Sequence, residues 1–314
     1  MIEKNKKEGS SKLLAPLLVV IAASLWAVDG IVLRPSLYSL PVPLVVFIES
    51  AVVAILLTPF FIKRFSSLKQ LKKKDWLAFF GVALLGGAVG TMAITKALFY
   101  VNFINLSVVI LLQKLQPVFA ISLATIFLKE KLPKEFFLWA GLAIFGAYFM
   151  TFGFSSPNFS TGDKTTIAAL FALLAAFSFS SSTVLSKRAL RNVDYEMGTY
   201  LRFLFATIIM LMIAGTTGDI SNISEITTKQ IIVFLIIAFT TGGAAIFLYY
   251  YGLKRISASV ASICELAFPL TAVVLEYLVH GNILSPVQWI GAAVLLISIL
   301  KVGGINIPSL INSK

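Results

Sequence analysis

Long apolar runs recur along almost the whole chain, and they constrain its fold more than any other feature of the sequence. A helix that spans a bilayer needs about 20 apolar residues in succession. Of the 314 residues, 58% are hydrophobic and only 13% are charged, whereas a soluble domain carries about 25% charged residues. The sequence therefore predicts an all-α polytopic membrane protein embedded in a lipid bilayer.

The apolar runs divide into ten predicted transmembrane helices joined by short polar loops. The first run follows a basic N-terminal stretch and lacks a small-residue cleavage site, so we interpret it as an uncleaved span and not as a signal peptide. No segment between the runs is long enough for a separate soluble domain. The predicted spans are 13–33, 43–62, 76–95, 103–128, 135–153, 166–186, 196–214, 230–250, 256–279 and 286–303.

The distribution of lysine and arginine predicts the orientation, since these residues accumulate in cytoplasmic loops. With the N-terminus inside, the outside segments hold only Arg34, Lys96, Lys164 and Lys229. Lys114 and Arg202 fall within spans, and the rest of the 26 basic residues lie inside. We expect a multi-pass protein of the cell (inner) membrane with both termini cytoplasmic. The net charge of +12 is then a topology signal and not a nucleic-acid-binding surface.

The two halves of the sequence repeat one pattern at an offset of 152 residues, at which Gly90 meets Gly242 and Pro117 meets Pro269. Each copy contains five predicted spans. Because five is odd, the second copy must enter the membrane upside down. The sequence therefore predicts two inverted five-helix repeats, an arrangement that transporters use with the substrate site near the midplane where the halves meet.

Each half also carries a characteristic motif on its fourth span, YVNFINLSVVILLQKLQPVFAISLATIFLKEKL at 100–132 and GLKRISASVASICELAFPLTAVVLEYLVHGNIL at 252–284. With the helix–loop–helix endings KEKLPKEFFLWAGLAIFGAY and GNILSPVQWIGAAVLLISI, these motifs resemble the EamA-domain branch of the drug/metabolite transporter superfamily. The second half departs from the family pattern at Gly281–Asn282, where the first half has the charged turn Lys129–Glu130. The resemblance implies a secondary transporter of small metabolites, often an exporter, and does not imply a particular substrate.

The resemblance covers essentially the whole chain and predicts its organisation. The two EamA-like repeats are expected at 13–153 and 166–303. Residues 1–12 and 304–314 are then short cytoplasmic tails.

Six ionisable residues lie within the predicted spans, where charge is costly and usually functional. They are Asp29, Glu49, Lys114, Arg202, Glu265 and Glu276. A rise of about 1.5 Å per residue places Lys114 and Glu265 near the midplane on equivalent spans, each beside a proline that should kink its helix. We hypothesise that these two side chains face a central cavity, paired or bridged by substrate. A purely structural buried pair is the alternative, and we interpret Glu276 as a solvated helix end.

Four more residues complete the predicted substrate-binding set. Trp26 and Asp29 are three residues apart and project on one helical face, an arrangement that binds ammonium groups; alternatively, Asp29 caps its helix. Glu49 and Arg202 occupy equivalent positions, yet they differ in height by about 12 Å, so a direct bridge between them is not expected. Glu49 is expected to pair with Arg34 or to bind a proton during transport.

Aromatic and small residues supply weaker predictions. Tyr200 and Arg202 project from different faces of the seventh span, and we expect Arg202 to face the cavity because a guanidinium in lipid is the costlier of the two. Tyr249, Tyr250 and Tyr251 are interpreted as interfacial aromatics at the end of the eighth span, with a substrate role for Tyr250 as the alternative. Small-residue faces that favour close helix packing occur at Gly86, Gly87, Gly90, Gly242 and Gly243.

These features predict a secondary-active exporter of a small polar or zwitterionic metabolite, such as an amino acid, that works by alternating access without a cofactor. The chain lacks a phosphate-binding loop with a lysine, and one cysteine (Cys264) and one histidine (His280) form neither a disulfide nor a metal cluster. We therefore do not expect an enzyme. Proton-coupled antiport through Glu265 or Glu49, facilitated exchange without protons, and a non-transporting scaffold or sensor remain open. The chain is expected to act as a monomer or homodimer.

Overall fold

The computed structural model describes residues 2–62, 68, 71–100, 109, 112–156, 165–280 and 285–304. In that part of the chain every regular element is a helix. The α-helices are α1 Ile2–Val28, α2 Val42–Phe61, α3 Lys73–Val82, α4 Gly90–Tyr100, α5 Gln116–Leu123, α6 Lys134–Phe152, α7 Thr165–Ala189, α8 Tyr195–Thr216, α9 Thr228–Phe239, α10 Gly243–Arg255, α11 Ala258–Cys264, α12 Ala267–His280 and α13 Pro286–Gly303. Three π-helical turns, Asp29–Leu33, Ala83–Val89 and Ala124–Leu128, and two 3₁₀ turns, Arg34–Leu37 and Asp219–Glu225, connect or extend them.

Nine stretches of the described helices are long and apolar enough to cross a membrane. They are Leu13–Leu37, Val42–Phe61, Lys73–Ala97, Lys134–Phe152, Thr166–Ala189, Tyr195–Thr216, Thr228–Arg255, Ala258–Leu275 and Pro286–Gly303. Each corresponds to one of the ten predicted spans. The remaining predicted span is 103–128. Much of its first part lies outside the described residues, and its second part is the shorter apolar helix Gln116–Leu128.

The outer surface of the bundle is apolar, as a lipid-facing surface should be. Phe60, Ile126 and Leu278 are among many large apolar side chains that stay exposed on it. A water-soluble monomer rarely leaves so many large apolar groups on its surface. The chain is therefore a multi-pass membrane protein.

Both halves interrupt their third and fourth spans at nearly equivalent positions. In the third spans, a π-helical turn ends just before Gly90, and α9 stops at Phe239 while α10 begins at Gly243. In the fourth spans, a turn at 114–115 precedes α5 and a turn at 265–266 precedes α12. Proline lacks an N–H and cannot bond the carbonyl four residues earlier, so Pro117 and Pro269 account for the breaks in the two fourth spans. The kinks predicted beside both prolines are thus confirmed.

Helices of one half pack against helices of the other in matching pairs. α2 packs against α8 and α6 against α13, so the second spans of the two halves meet, as do the fifth spans. α1 packs against α10 and α12, whereas its equivalent, α7, packs against α4 and α5. Each of these contacts has a counterpart in which the roles of the halves are exchanged, the pattern expected of two halves related by a two-fold axis.

Backbone atoms of the two halves approach each other closely where α6 meets α13. A Cβ atom added to Gly146 would lie 2.9 Å from the carbonyl oxygen of Gly291, and one added to Gly291 would lie 2.5 Å from the backbone nitrogen of Met150. Because these neighbours are backbone atoms, no change of side-chain rotamer would make room. The contact requires glycine at both positions.

The predicted small-residue face on the third span also serves close packing. A Cβ on Gly86 would lie 2.2 Å from Ser182 Oγ, and one on Gly87 would lie 3.1 Å from the Cβ of Ala206. The third span thereby packs closely against α7 and α8. Close helix packing through small residues at this position is confirmed.

Candidate functional site

The carboxylate of Glu265 is held by side chains from three other helices. Tyr249 Oη donates a hydrogen bond to Glu265 Oε1 at 2.6 Å, and Gln116 Nε2 donates to Glu265 Oε2 at 2.6 Å. Thr183 Oγ1 lies 2.9 Å from Tyr249 Oη and 3.4 Å from Glu265 Oε1, so its hydroxyl can donate to either. We call Gln116, Thr183, Tyr249 and Glu265 the Glu265 cluster. It collects one side chain from each of α5, α7 and α10 around the carboxylate.

The broken helices explain why this cluster can form. Glu265 lies in the turn between α11 and α12, and its carbonyl accepts from the backbone N–H of Phe268 at 3.0 Å. Gln116 is the first residue of α5, directly after the other turn, and its carbonyl accepts from Ser180 Oγ on α7 at 2.7 Å. The two breaks therefore bring Gln116 and Glu265, one polar residue from each half, into contact. Thr183 and Tyr249 are buried, whereas Glu265 and Gln116 are half-buried, so the cluster borders an accessible space.

Lys114 does not lie in an ion pair with Glu265. Its side chain is buried, and among the described residues no hydrogen bond or ion pair of its Nζ atom is found. The basic residue close enough to act electrostatically on Glu265 is Arg202. Direct pairing of Lys114 with Glu265 is thus absent from this conformation, and the predicted bridging of the two by substrate stays a prediction.

Aromatic rings form one wall beside Glu265. Trp26 packs against Tyr249 with a ring-centroid distance of 5.2 Å, so the half-buried indole lies next to the hydroxyl that binds the carboxylate. Tyr250 is fully buried, and its hydroxyl lies 2.9 Å from Ser186 Oγ. Their interpretation as interfacial aromatics is therefore wrong for Tyr249 and Tyr250. Both turn inward because the broken eighth span presents them to α7.

Arg202 faces the interior, and Tyr200 does not share its surroundings. Arg202 Nη1 donates to Tyr250 Oη at 3.4 Å, and its guanidinium lies 5.9 Å from the centre of the Tyr250 ring. Tyr200 instead stacks on Phe61 at 5.4 Å, with its hydroxyl 3.2 Å from Thr58 Oγ1. The two residues do project from different faces of α8, as the sequence predicts.

A second charged group lies at the end of the first span. Arg34 Nη2 and Nε donate to Asp29 Oδ2 at 2.6 and 2.9 Å, and Nη2 lies 3.1 Å from Glu49 Oε1 and 3.2 Å from Oε2. A π-helical turn brings residues five apart into contact, and the turn that starts at Asp29 thereby aligns it with Arg34. We call Asp29, Arg34 and Glu49 the Arg34 cluster. The pairing of Glu49 with Arg34, one of two predicted alternatives, is present.

These contacts separate two residues that the sequence placed in one ammonium-binding arrangement. Trp26 packs with Tyr249 beside Glu265, whereas Asp29 is occupied by Arg34. Next to this cluster, burial raises the pKa of the Tyr38 hydroxyl, while the charge of Arg34 opposes the shift and Asp29 adds to it. Tyr38 is therefore a neutral phenol near neutral pH.

A third polar network, which the sequence analysis did not single out, surrounds Glu130. Lys129 adopts a left-handed conformation with φ 55° and ends the helix that contains α5. Glu130 then accepts hydrogen bonds from the backbone N–H groups of Ala258 and Ser259 at 2.8 and 3.1 Å, and from Ser259 Oγ at 2.6 Å. The buried carboxylate thus caps the N-terminus of α11, where the helix dipole favours negative charge. Its only sequence signal was the charged turn on which the two halves differ.

Lys187 fastens two helix ends in the same region. Its Nζ atom donates to the carbonyl oxygens of Leu253 and Lys254 at 2.8 and 3.0 Å. These carbonyls are among the unpaired acceptors at the C-terminus of α10. Lys187 therefore ties the end of α7 to the end of α10.

Two further expectations concern charge and metals. The side chain of Glu276 lies outside the described residues, so its interpretation as a solvated helix end remains a prediction. Within the part of the chain that the structure describes, no group of three or more His, Cys, Asp and Glu side chains is arranged to hold a metal ion.

The two halves of the chain both match one family of membrane proteins. The model of the EamA-like transporter family matches residues 13–152 and again residues 166–303. Because the two matches together cover most of the chain, the protein belongs to the EamA-like transporter family. Its polar clusters thus lie within a transporter fold, which points away from catalysis.

Individual proteins similar to this chain include characterised and uncharacterised transporters and a solved structure. The chain is 48% identical over 291 residues to the riboflavin transporter ImpX of Fusobacterium nucleatum subsp. nucleatum, an alignment that covers 92% of this chain and 97% of that protein. It is 28% identical over 186 residues to the uncharacterised transporter YwfM of Bacillus subtilis (strain 168), covering 59% of this chain and 60% of that one. A solved crystal structure, 16% identical, superposes with a TM-score of 0.70 over 91% of this chain and 95% of its own. At that identity the superposition shows the fold alone.

Proposed function

We propose that this protein carries riboflavin across the membrane and binds it at the Glu265 cluster. The observation that carries the proposal is the 48% identity to a riboflavin transporter along 97% of that protein's length. Identity at this level over nearly two whole chains favours a shared substrate more strongly than family membership does, since one fold serves many substrates. The amino acid expected from the sequence becomes a competitor to be tested against riboflavin.

The chemistry of the site suits a neutral flavin. Riboflavin has a flat aromatic ring system with an N–H group and carbonyl oxygens along one edge, and a chain of hydroxyl groups. A half-buried carboxylate accepts hydrogen bonds from N–H or O–H groups, and the amide of Gln116 both donates and accepts. Trp26 and Tyr249 supply aromatic surface next to these polar atoms. A phosphorylated flavin would bring a second negative charge towards Glu265 and is expected to bind less well.

Transport by alternating access follows from the proposed symmetry of the halves. We propose ten spans in two inverted repeats, which the exchanged helix contacts and the matching helix breaks support. At an offset of 153 residues Arg34 and Lys187 are equivalent. In an inverted arrangement they lie at opposite faces of the membrane. Each of these two side chains connects one helix end to a neighbouring element. If the contacts of one side chain break while those of the other persist, the site opens to one side of the membrane at a time.

Radiolabelled riboflavin flux into proteoliposomes tests the proposal. We expect saturable flux that unlabelled riboflavin abolishes and that flavin mononucleotide or amino acids reduce by less than half at the same concentration. Flux out of preloaded vesicles and flux into empty vesicles measure transport in the two directions. The comparison distinguishes export, which the family resemblance leads us to expect, from uptake. Absence of saturable riboflavin flux in correctly folded protein, or equal competition by an amino acid, would overturn the proposal.

A further inference from the structure

The Arg34 cluster holds two carboxylates and one cation. The three side chains are largely buried, with 12%, 13% and 22% of the Asp29, Glu49 and Arg34 side chains exposed. With both carboxylates ionised, one guanidinium faces two negative charges, and the cluster then has a net charge of −1. An uncompensated charge within a membrane span is expensive and marks an ion or proton pathway.

Each carboxylate also keeps one oxygen without a hydrogen bond. Asp29 Oδ1 and Glu49 Oε1 are both buried and lack a hydrogen-bond donor within the described structure. Glu49 Oε1 is 3.1 Å from Arg34 Nη2, yet that N–H group is directed towards other oxygens. Asp29 as a whole is only 9% exposed. Buried polar atoms of folded proteins are nearly always satisfied, so two orphan oxygens at one site call for a ligand that supplies a donor.

Neighbouring helices do not provide the missing positive charge. The other ionisable residues on the elements around α2 and the turn at Asp29 include Tyr38, Lys96, Tyr100, Arg202, Asp219, Glu225, Lys229 and Tyr277. Lys96 lies over the Phe171 ring and Arg202 against Tyr250, while Lys229 is exposed. None of the described residues other than Arg34 forms an ion pair with Asp29 or Glu49. The side chains of Glu276 and His280 on α12 are not among those described.

Glu265 differs from these carboxylates in its hydrogen bonding. Both of its oxygens accept hydrogen bonds from uncharged donors, Tyr249 and Gln116, so neither oxygen lacks a donor. Of the two carboxylates that the sequence offered as proton carriers, Glu49 is the one with an unsatisfied oxygen and an acidic neighbour.

We infer that the Arg34 cluster is a proton-binding site, and that one proton taken up by Asp29 or Glu49 drives transport. Binding converts one carboxylate to the acid, adds the missing O–H donor and brings the net charge to zero. The guanidinium then pairs with the remaining carboxylate alone, which loosens the tie between the first span and α2. No electron moves, and the proton comes from water. The coupling step rests on the proposed function, whereas the proton site does not.

Infrared spectroscopy tests the proton site without any substrate. On acidification, the wild-type protein should gain the carbonyl band of a protonated carboxylic acid, and Glu49→Gln should lose that band. Glu225→Gln changes an exposed carboxylate and serves as the matched control, which should keep the band. If Glu49→Gln does not fold, Asp29→Asn takes its place. Absence of the band in the wild-type protein would overturn the site.

Flux measurements test the coupling. A pH gradient should raise riboflavin accumulation in wild-type proteoliposomes at least tenfold. Glu49→Gln should lose this gain, and Glu225→Gln should keep it. A Glu49→Gln variant that still responds to the pH gradient, or a wild-type protein driven by sodium instead, contradicts the coupling. If no riboflavin moves at all, the proposed function fails, while the infrared band still decides on the proton site.

Discussion

At the scale of single residues, the hydroxyl of Tyr249 is the most informative group in the proposed riboflavin site. It donates to Glu265 at 2.6 Å and contacts Thr183. Tyr249→Phe keeps the aromatic contact with Trp26 but removes this donor. A hydrogen bond to a charged group contributes about 1.5 kcal/mol or more, so the KM for riboflavin should rise about tenfold. Proteoliposome flux at graded riboflavin concentrations measures this change.

Tyr251→Phe is the control, since Tyr251 lies two residues further along the same helix and its ring centre is 3.4 Å from the guanidinium carbon of Arg255. Among the described residues, no hydrogen bond joins Tyr251 to Glu265. Its riboflavin KM should match that of the wild-type protein. Equal KM values for both variants would remove Tyr249 from the substrate site.

Glu130 is predicted to matter for stability because it caps α11. Glu130→Gln replaces a carboxylate that accepts three hydrogen bonds by an amide with a single acceptor oxygen. The loss should cost about 2 kcal/mol and lower the melting temperature of the purified protein by about 5 °C. Glu225→Gln, at an exposed carboxylate, should melt like the wild-type protein. Unchanged melting of Glu130→Gln would show that the cap is dispensable.

The residues of the Glu265 cluster were unequally visible in the sequence. Glu265 stood out because ionised groups are rare in apolar runs, and the nearby Arg202, which is not a member of the cluster, stood out for the same reason. Gln116, Thr183 and Tyr249 did not, since uncharged polar residues are common in membrane helices and only the tertiary fold brings these three together. Lys114 illustrates the converse, because its predicted depth matched that of Glu265, yet the two side chains form no ion pair in the described part of the chain.

At the scale of helices, the contact between α6 and α13 gives a sharp prediction. Gly146→Leu places a large side chain against the backbone of Gly291 and Leu295. Overpacking without room to relax should destabilise the protein by about 3 kcal/mol. Gly141→Leu is the matched control on the same helix, since nothing lies within 4 Å of a Cβ at that position. Thermal unfolding in detergent should separate the two variants, and equal melting temperatures would refute this packing.

Helix positions followed from apolar run lengths, and the two proline-linked breaks followed from the chemistry of proline. The π-helical turns did not. The turn Asp29–Leu33 contains no proline, and its apolar residues continue the run of the first span. Yet that turn is what brings Asp29 and Arg34 together. A one-residue change in helix winding depends on tertiary contacts, so sequence periodicity gives no sign of it.

At the scale of the molecule, each half supplies packing partners for the other. α1 docks on α10 and α12, and α7 docks on α4 and α5. We therefore expect that a chain cut between residues 152 and 166 still assembles when both parts are expressed together, and that neither part accumulates alone. Purification of one half through an affinity tag measures assembly, because an untagged half that is bound to it is recovered with it. Stable accumulation of either part by itself would contradict this mutual dependence.

The inverted arrangement predicts that the loops after the second and fifth spans lie on opposite sides of the membrane. Single cysteines at Lys72 and Lys164, introduced after Cys264→Ser, should react with a membrane-impermeant reagent from opposite sides. Labelling at Lys72 should require access from the cytoplasm. Labelling of both from one side would exclude an inverted repeat, together with the opposite placement of Arg34 and Lys187.

Backbone contact between α6 and α13 also divides the molecule mechanically. At Gly146 and Gly291 no side chain separates the two helices, so we expect this pair to move as one rigid unit during transport. The fourth span of each half and the third span of the second half are instead interrupted, at the turns before α5 and α12 and at the gap between α9 and α10. The α6–α13 pair is thus expected to stay fixed as a frame, while the interrupted helices bend at their breaks.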